Sequence, residues 1–487
     1  MRKITFTGLS LLLVMMCLPA DSFSQNRFDA LRFSTQVPAA DASSIGFGGA
    51  THSVFLDYGS ALSNPAVLSL APNSSFSVGL GLRDVGEDAI YLNQRRSYDD
   101  SQTSFTNAGF VYRFPTVQGS LVIGAGYNQT ADFNRAYRIS GFNSTSSITD
   151  FFLTNDFYFD TAFDAFAVDI DDDGAYSVLR NFTDEPFVGI DQTANVVERG
   201  HMGEFSFSAA TEFVEGLHMG VTLGIPFGTY SYRRDFLETD SQNLHTGEPG
   251  SLTLDVNNIF NRDTIDADIS GFSARAGVLY TAIPNISLGL SYQMPTRYTI
   301  DESYSVLIET TFDDGDFFDA ELRGDNSYKV RTASRLSFGA STRDLPVDLS
   351  AAIERVGYSS LEFRELGNLA MEVAENDRIR DDFKDVYNLS FGAQLNISDV
   401  VQPRLGYAYL PSASRSRDLD RQYLSAGLRL GVSQDVSVDI ALQYGFWDDE
   451  QVLYEYPDYP SGQSFNQSRV STSVDRFHAA VGFSLRF

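Results

Sequence analysis

Residues 477–487 read Phe477-His478-Ala479-Ala480-Val481-Gly482-Phe483-Ser484-Leu485-Arg486-Phe487. Every second position, from Phe477 to Phe487, is apolar. The positions between are small or polar. A period of two is the signature of a strand, since successive side chains point to opposite faces. One greasy face and one small or wet face suit a strand with lipid on one side and a lumen on the other.

The same alternation recurs through most of the chain. Phe76, Val78, Leu80 and Leu82 alternate, as do Ala108, Phe110, Tyr112 and Phe114, and Leu121, Ile123, Ala125 and Tyr127. Met219, Val221, Leu223 and Ile225 repeat it, as do Phe272, Ala274, Ala276, Val278 and Tyr280. Later runs include Leu288–Tyr292, Leu349–Ile353, Leu389–Leu395, Leu405–Tyr409, Leu424–Leu430 and Val436–Tyr444. A half-buried strand of a soluble sandwich explains one such run, but explains so many recurrences less well. The last strand, ending on Phe487, also resembles the C-terminal assembly signal of bacterial outer-membrane barrels.

The links between runs carry the topology. Six are tight: 115–119, 215–216, 284–285, 344–346, 398–400 and 433–435. Their Gly, Pro, Asn and Asp residues suit turns. Seven are longer: about 84–104, 141–202, 235–250, 311–327, 365–383, 411–420 and 447–470. Long and short links alternate throughout. Short periplasmic turns and long external loops give that pattern in an up-and-down barrel. Thirteen links join 14 strands. The reading is an all-β, transmembrane, 14-stranded antiparallel up-and-down β-barrel over residues 71–487.

The N-terminus sets the compartment. Arg2 and Lys3 precede an apolar stretch, Leu9–Leu18, too short to span a bilayer. Ser22-Phe23-Ser24 offers small residues for cleavage before Gln25, so 1–24 reads as a signal peptide. The only cysteine, Cys17, lies inside it. Disulfides and cysteine-based sites are then excluded from the mature chain. The chain has 487 residues and a formal charge of −29, from 64 acidic and 35 basic side chains. Such an acidic chain has no electrostatic footprint for nucleic acid.

Residues 25–70 do not alternate. They contain Ser44-Ile45-Gly46-Phe47-Gly48-Gly49-Ala50 and then Asn64-Pro65-Ala66. A Gly-rich stretch followed by Asn-Pro-Ala, just before the first strand, resembles the N-terminal hatch of the FadL family of outer-membrane long-chain fatty-acid transporters. Asp420-Arg421-Gln422-Tyr423-Leu424-Ser425-Ala426-Gly427 and Asp435-Val436-Ser437-Val438-Asp439 are similar to sequences at matching places in that family. The resemblance implies a hatch plugging the lumen and passive uptake of long-chain fatty acids or similar hydrophobic molecules. They would be caught at external loops, bound in the lumen and released sideways beside a kinked third strand after hatch movement. It implies a monomer in the bacterial outer membrane, in contact with outer-membrane lipid, with no cofactor. Aromatic hydrocarbons as cargo, a non-transporting scaffold of a surface or secretion complex, and an outer-membrane lipase are the alternatives.

Candidate site residues follow from pattern. Loop 141–202 carries Phe151, Phe152, Phe159, Phe163 and Phe166. Phe159, Phe163, Phe166 and Ile170 have helical spacing, which predicts an amphipathic lid helix lining an outer ligand groove. Packing of these rings onto the barrel rim is the other reading. If Val330, Leu336 and Phe338 face lipid, then Lys329, Arg331 and Arg335 face the lumen, as do Arg275 and Arg113 by the same parity. Guanidinium groups there would anchor a carboxylate head, or else form salt bridges with Asp348, Glu354 or Asp439. Gln129 breaks the alternation of the third strand, so a kink is expected near Asn128–Asp132. Asp169, Asp171 and Asp173 match the first half of a calcium loop, but Arg180 stands where an EF-hand needs Glu. The five histidines lack metal-ligand spacing, and no motif supports catalysis.

Overall fold

The computed structural model describes residues 26–172, 174–179, 187–247, 254–398, 400–458 and 464–487. The signal-peptide stretch, 1–24, lies outside them. Eighteen hydrogen-bonded segments make up fourteen antiparallel strands, because four strands are each interrupted once. They are β1 (Ser75–Tyr91), β2 (Gln94–Arg113), β3 (Leu121–Asp132 and Arg135–Asn143), β4 (Ile190–Val214), β5 (Leu217–Thr239), β6 (Val256–Tyr280) and β7 (Ile286–Gln293 and Arg297–Phe312). The rest are β8 (Phe317–Arg331 and Arg335–Thr342), β9 (Val347–Val356 and Glu362–Arg364), β10 (Val386–Leu395), β11 (Val401–Leu410), β12 (Arg421–Gly431), β13 (Val436–Pro457) and β14 (Phe465–Arg486). β1 pairs with β14 from Ser75–Arg486 to Ile90–Ser471, which closes the sheet. Closure leaves the lipid phase no open edge to satisfy.

The outer face of β5 shows how the barrel meets the membrane. Met219, Val221, Leu223, Ile225 and Phe227 are exposed, while Gly220, Thr222 and Gly224 between them face inward and are buried. Above Phe227 the outward positions become Thr229, Ser231, Arg233 and Asp235. About 9–11 tilted residues cross a bilayer, so the upper half of β5 stands in water. No helix among the described residues is long and apolar enough to cross a membrane.

That height corrects several expected loops. Residues 84–104 are mostly strand: β1 and β2 stay paired up to Tyr91–Gln94, joined by Leu92 and Asn93 alone. Both turn residues have positive φ, the conformation that a two-residue hairpin with matched twist requires. The 311–327 link likewise shrinks to a turn at Asp313–Asp316, and β13 and β14 run well into 447–470. Apolar alternation stops where lipid stops, but backbone pairing does not.

Residues 26–71 fill the lumen from within. Helix α1 (Arg27–Ser34) is followed by the short helices α2 (Ala42–Gly46) and α3 (Ser60–Ser63) and a 3-10 turn, Pro65–Leu70. The glycines permit close approach: a Cβ on Gly48, whose φ is +65°, would stand 2.6 Å from Tyr407 N of the wall. The Asn64 side chain caps the Pro65–Leu70 turn by accepting from Ala66 N at 3.0 Å, and its amide donates to His52 O at 2.8 Å and Val278 O at 3.2 Å. Pro65 and Asn64 lie against Gly220 of β5 and Gly277 of β6, where any Cβ would collide with them.

Candidate functional site

The outer mouth is closed by the segment between β3 and β4. Helix α4 (Ile148–Thr154) and helix α5 (Asp156–Asp164) are followed by a small hairpin, Val168–Asp171 with Gly174–Ser177. Ser147 and Asp150 form a capping box on α4, and Asn155 caps α5. Two polar anchors pin this cap to the strands. The Tyr158 hydroxyl donates to Asp263 Oδ1 at 3.0 Å, and Asp263 is ion-paired with the buried Arg234 at 2.6 Å. Glu238, at the top of β5, accepts from Ser147 Oγ at 2.5 Å, Gln192 Nε2 at 2.6 Å and Ile148 N at 2.9 Å. Burial outweighs those donors and, with Asp150 nearby, pushes the Glu238 carboxyl up to about 7.

The aromatic residues of this segment divide into two groups. Phe151 and Phe152 are buried beside Tyr158 in the cap core, so their expected place in an open groove is corrected. The expected single lid helix is corrected too. It ends at Asp164, with Phe166 beyond it at φ 53° and Ile170 in the hairpin. Phe163 and Phe166 are 40% and 44% exposed, and Phe159 is half-buried. Phe159 stacks on Phe163 at 6.5 Å, and Phe166 meets Phe318 of β8 at 4.4 Å. With Phe312, whose ring meets Phe318 at 6.0 Å, they form an aromatic shelf between the cap and the β7–β8 hairpin.

Beneath the cap lies a cavity of about 350 Å³, within the usual range for small-molecule sites. Its wall comes from α1, the kink of β3, the β11–β12 link and the upper parts of β13 and β14. Phe28, Leu31, Phe133, Tyr137, Phe151 and Trp447 supply apolar surface. Seven arginines and five carboxylates line it, which reverses the sign of the whole chain. A second cavity, of about 110 Å³, lies deeper. Gln36, Val37, Asn388 and Leu410 line both.

The lower cavity reaches Gln129 and Thr130 on β3. There the strand is kinked. Its ladder with β2 stops at Asn107–Asn128, its register with β4 shifts between Gln129 and Ala131, and the strand resumes only at Arg135. The kink buries Gln129, which the alternation placed toward lipid. Both side-chain polar atoms of Asn128 and Oε1 of Gln129 are buried without a partner among the described residues.

The expected head-group cations do not gather in one place. Arg275 faces the lumen, where Glu204 Oε2 takes its Nη2 at 3.1 Å; Arg335 does so beside Glu354 at 2.7 Å. Lys329 and Arg331 are corrected: they point outward and pair with Glu365 at 2.6 Å and Glu362 at 3.7 Å. Tyr328 and Val330 take the inward positions, packed with Phe33 of the hatch. The interruption at Thr332–Ser334 reverses the parity of β8, so counting back from Leu336 puts the upper half on the wrong face. Arg113 donates to Ala71 O at 2.6 Å. In the hairpin, Asp171 Oδ1 accepts from Gly174 N and Asp169 Oδ2 from the Tyr176 hydroxyl. Asp173 lies outside the described residues, among which no group of three or more potential ligands is placed to hold a metal.

Sequence reasoning missed Arg417, Arg421, Arg476 and Trp447, which all line the upper cavity. Arg421 stands in a motif quoted above, and Trp447 is the only tryptophan. Both sit where strands leave the lipid and the apolar phase is lost.

Residues 33–487 match the family described as outer membrane protein transport protein (OMPP1/FadL/TodX). The chain belongs to this family. A FadL/TodX-family chain is an outer-membrane transporter of hydrophobic compounds and not an enzyme. A long-chain fatty acid transport protein of Escherichia coli O6:H1 is 26% identical over 226 residues, which is 42% of this chain and 48% of that protein. The match therefore spans about half of that relative. The crystal structure of the Pseudomonas putida toluene transporter TodX covers 92% of this chain and 99% of its own, with a TM-score of 0.54 and 16% identity. That of a Pseudomonas aeruginosa FadL homologue covers 93% and 100%, with a TM-score of 0.55 and 13% identity. At these identities the two structures show a shared fold.

Proposed function

We propose that this chain carries long-chain fatty acids or similar hydrophobic molecules passively across the outer membrane. The observation behind this reading is the succession of spaces through the molecule. The aromatic shelf at Phe163 and Phe166 is where an apolar chain first leaves water. The upper cavity holds it under the cap. Gln36 and Val37 of the hatch separate that cavity from the lower one, which ends at the kink of β3. A small hatch movement joins the two, and the missing β2–β3 ladder above Asn128 gives a sideways way out. Transfer of an apolar chain from water to lipid supplies the drive, at roughly 0.8 kcal/mol per CH₂, so no energy coupling is required. A cavity of this size beneath the cap supports transport over a purely scaffolding barrel.

Cells whose only fatty-acid porin is this chain test the reading. Radiolabelled oleate uptake is expected to exceed that of empty-vector cells. A Phe163→Ser, Phe166→Ser variant is expected to slow uptake several-fold at limiting oleate and little at saturation. Uptake equal to the empty vector sinks the proposal, and an unaffected variant removes the shelf from it.

A further inference from the structure

No chain-breaking residue ends the β2–β3 ladder. The kinked stretch reads Asn128-Gln129-Thr130-Ala131-Asp132-Phe133-Asn134-Arg135, without Gly or Pro. β3 stays paired with β4 up to Asn143–Ile190, and β2 stays paired with β1 up to Gln94–Tyr91. Only the ladder between them stops, at Asn107–Asn128. Higher up, the two strands meet again through side chains. Arg96 Nε donates to Ser140 Oγ at 2.8 Å, and the Arg138 guanidinium stands 4.7 Å from the ring of Tyr98. A window is left between these two levels. Exposed Leu82 and Phe105 flank its lower edge on the lipid side, where an unpaired backbone edge is costly. Left to its own hydrogen bonding, β3 would continue along β2.

Four charges oppose that pairing. Arg83 and Glu87 are buried on the lumen face of β1. Arg83 Nη1 donates to Asp132 Oδ2 at 2.6 Å. Glu87 accepts from Arg135 Nε at 3.3 Å and from Arg135 Nη2, while Arg135 Nη1 reaches Asp449 of β13 at 2.7 Å. In the wall, β2 lies between β1 and β3. Pairs that join β1 to β3 therefore pass on the lumen side of β2, and they draw β3 inward, off its neighbour. Their order is specific. Rising along β1 the charges run positive then negative, and along β3 negative then positive. A slip that exchanged partners would set Arg83 against Arg135 and Glu87 against Asp132, like against like. Asn134 ties the interruption itself, donating N and Nδ2 to Asp132 Oδ1, both at 3.1 Å.

We infer that Arg83, Glu87, Asp132 and Arg135 are positioning residues, whose two ion pairs hold β3 off β2 and so keep the side window open. Without them β3 zips onto the free edge of β2 and the window shuts. The inference rests on the transport reading above, in which the missing ladder is the way out for cargo.

The protein in lipid nanodiscs is compared with a variant carrying Arg83→Gln, Glu87→Gln, Asp132→Asn and Arg135→Gln. The variant removes both members of each pair, so that neither is left facing an uncharged partner. Amide exchange over residues 98–106 of β2 is expected to slow by about tenfold or more, because β3 then supplies ladder partners. Oleate uptake by cells is expected to fall several-fold. A merely structural role gives the opposite result, faster exchange in a loosened wall. Asp132→Glu with Arg135→Lys keeps the charges and is expected to exchange like the native protein. Heat-modifiable mobility confirms that each barrel is folded. Exchange over 98–106 that is unchanged or faster in the folded four-residue variant overturns the inference, and so does equal slowing in the charge-keeping variant. Slowed exchange with uptake intact upholds the inference and sinks the sideways exit of the transport reading instead.

Discussion

The amide of Val37 donates to the carbonyl of Thr130 at 2.9 Å, tying the hatch directly to the register shift of β3. One residue is part of the partition between the two cavities, and the other lies beside the interrupted ladder. Moving the hatch at Val37 therefore acts on the kink as well.

A covalent tie at this point tests the coupling. The only cysteine of the chain is Cys17, so Val37→Cys with Thr130→Cys introduces a lone pair into the described barrel. Oxidation is expected to lower oleate uptake at least about tenfold, and reductant to restore it, because a short crosslink tolerates little displacement. Uptake unchanged by the crosslink would show that the hatch need not move here.

Glu238 makes the cap sensitive to pH. Its folded value of about 7 lies above the ordinary carboxyl value of 4.5. The folded state therefore binds the extra proton between those limits, and stability falls as pH rises from about 4.5 to about 7. The loss is on the order of 3 kcal/mol. The hydrogen-exchange protection of α4 and α5, taken relative to the intrinsic rate at each pH, is expected to fall across that window and level off above it. Glu238→Gln is expected to flatten the profile.

Arg234 is fully buried, and Asp263 depends on it. Arg234→Met strands that carboxylate and loosens the Tyr158 anchor, at a cost of roughly 3–5 kcal/mol. Protease access to the α4–α5 segment is expected to rise. Adding Asp263→Leu is expected to recover much of the loss, since removing both charges avoids the uncompensated one.

Gly48 is the tightest test of the hatch seating. Gly48→Ala combines a positive φ with a Cβ only 2.6 Å from a backbone nitrogen of β11. The hatch is expected to be displaced, and cells to become permeable to small hydrophilic antibiotics. Gly315→Ala, also at positive φ but with open space around it, is the control and is expected to leave permeability unchanged.

Much of the barrel was legible because lipid imposes a period of two on each strand it touches. The strand number and the short turns follow from pattern, and the hatch from the resemblance carried by residues 44–50 and 64–66. The ligand cavity was less so. Lys329 and Arg331 were misplaced because a three-residue interruption in β8 inverted the count. Phe151 and Phe152 were placed at the surface because an aromatic-rich loop gives no sign of which rings form its own core.

The sequence by itself determined a closed fourteen-stranded wall, which is set by local periodicity and by the demand that every backbone group in lipid be paired. The hatch before the first strand came from the family resemblance of residues 44–50 and 64–66. The tertiary structure decided which charges face one another. Arg421, Arg476 and Trp447 come from three different strands, and they meet only because the barrel closes and the hatch leaves a space between them.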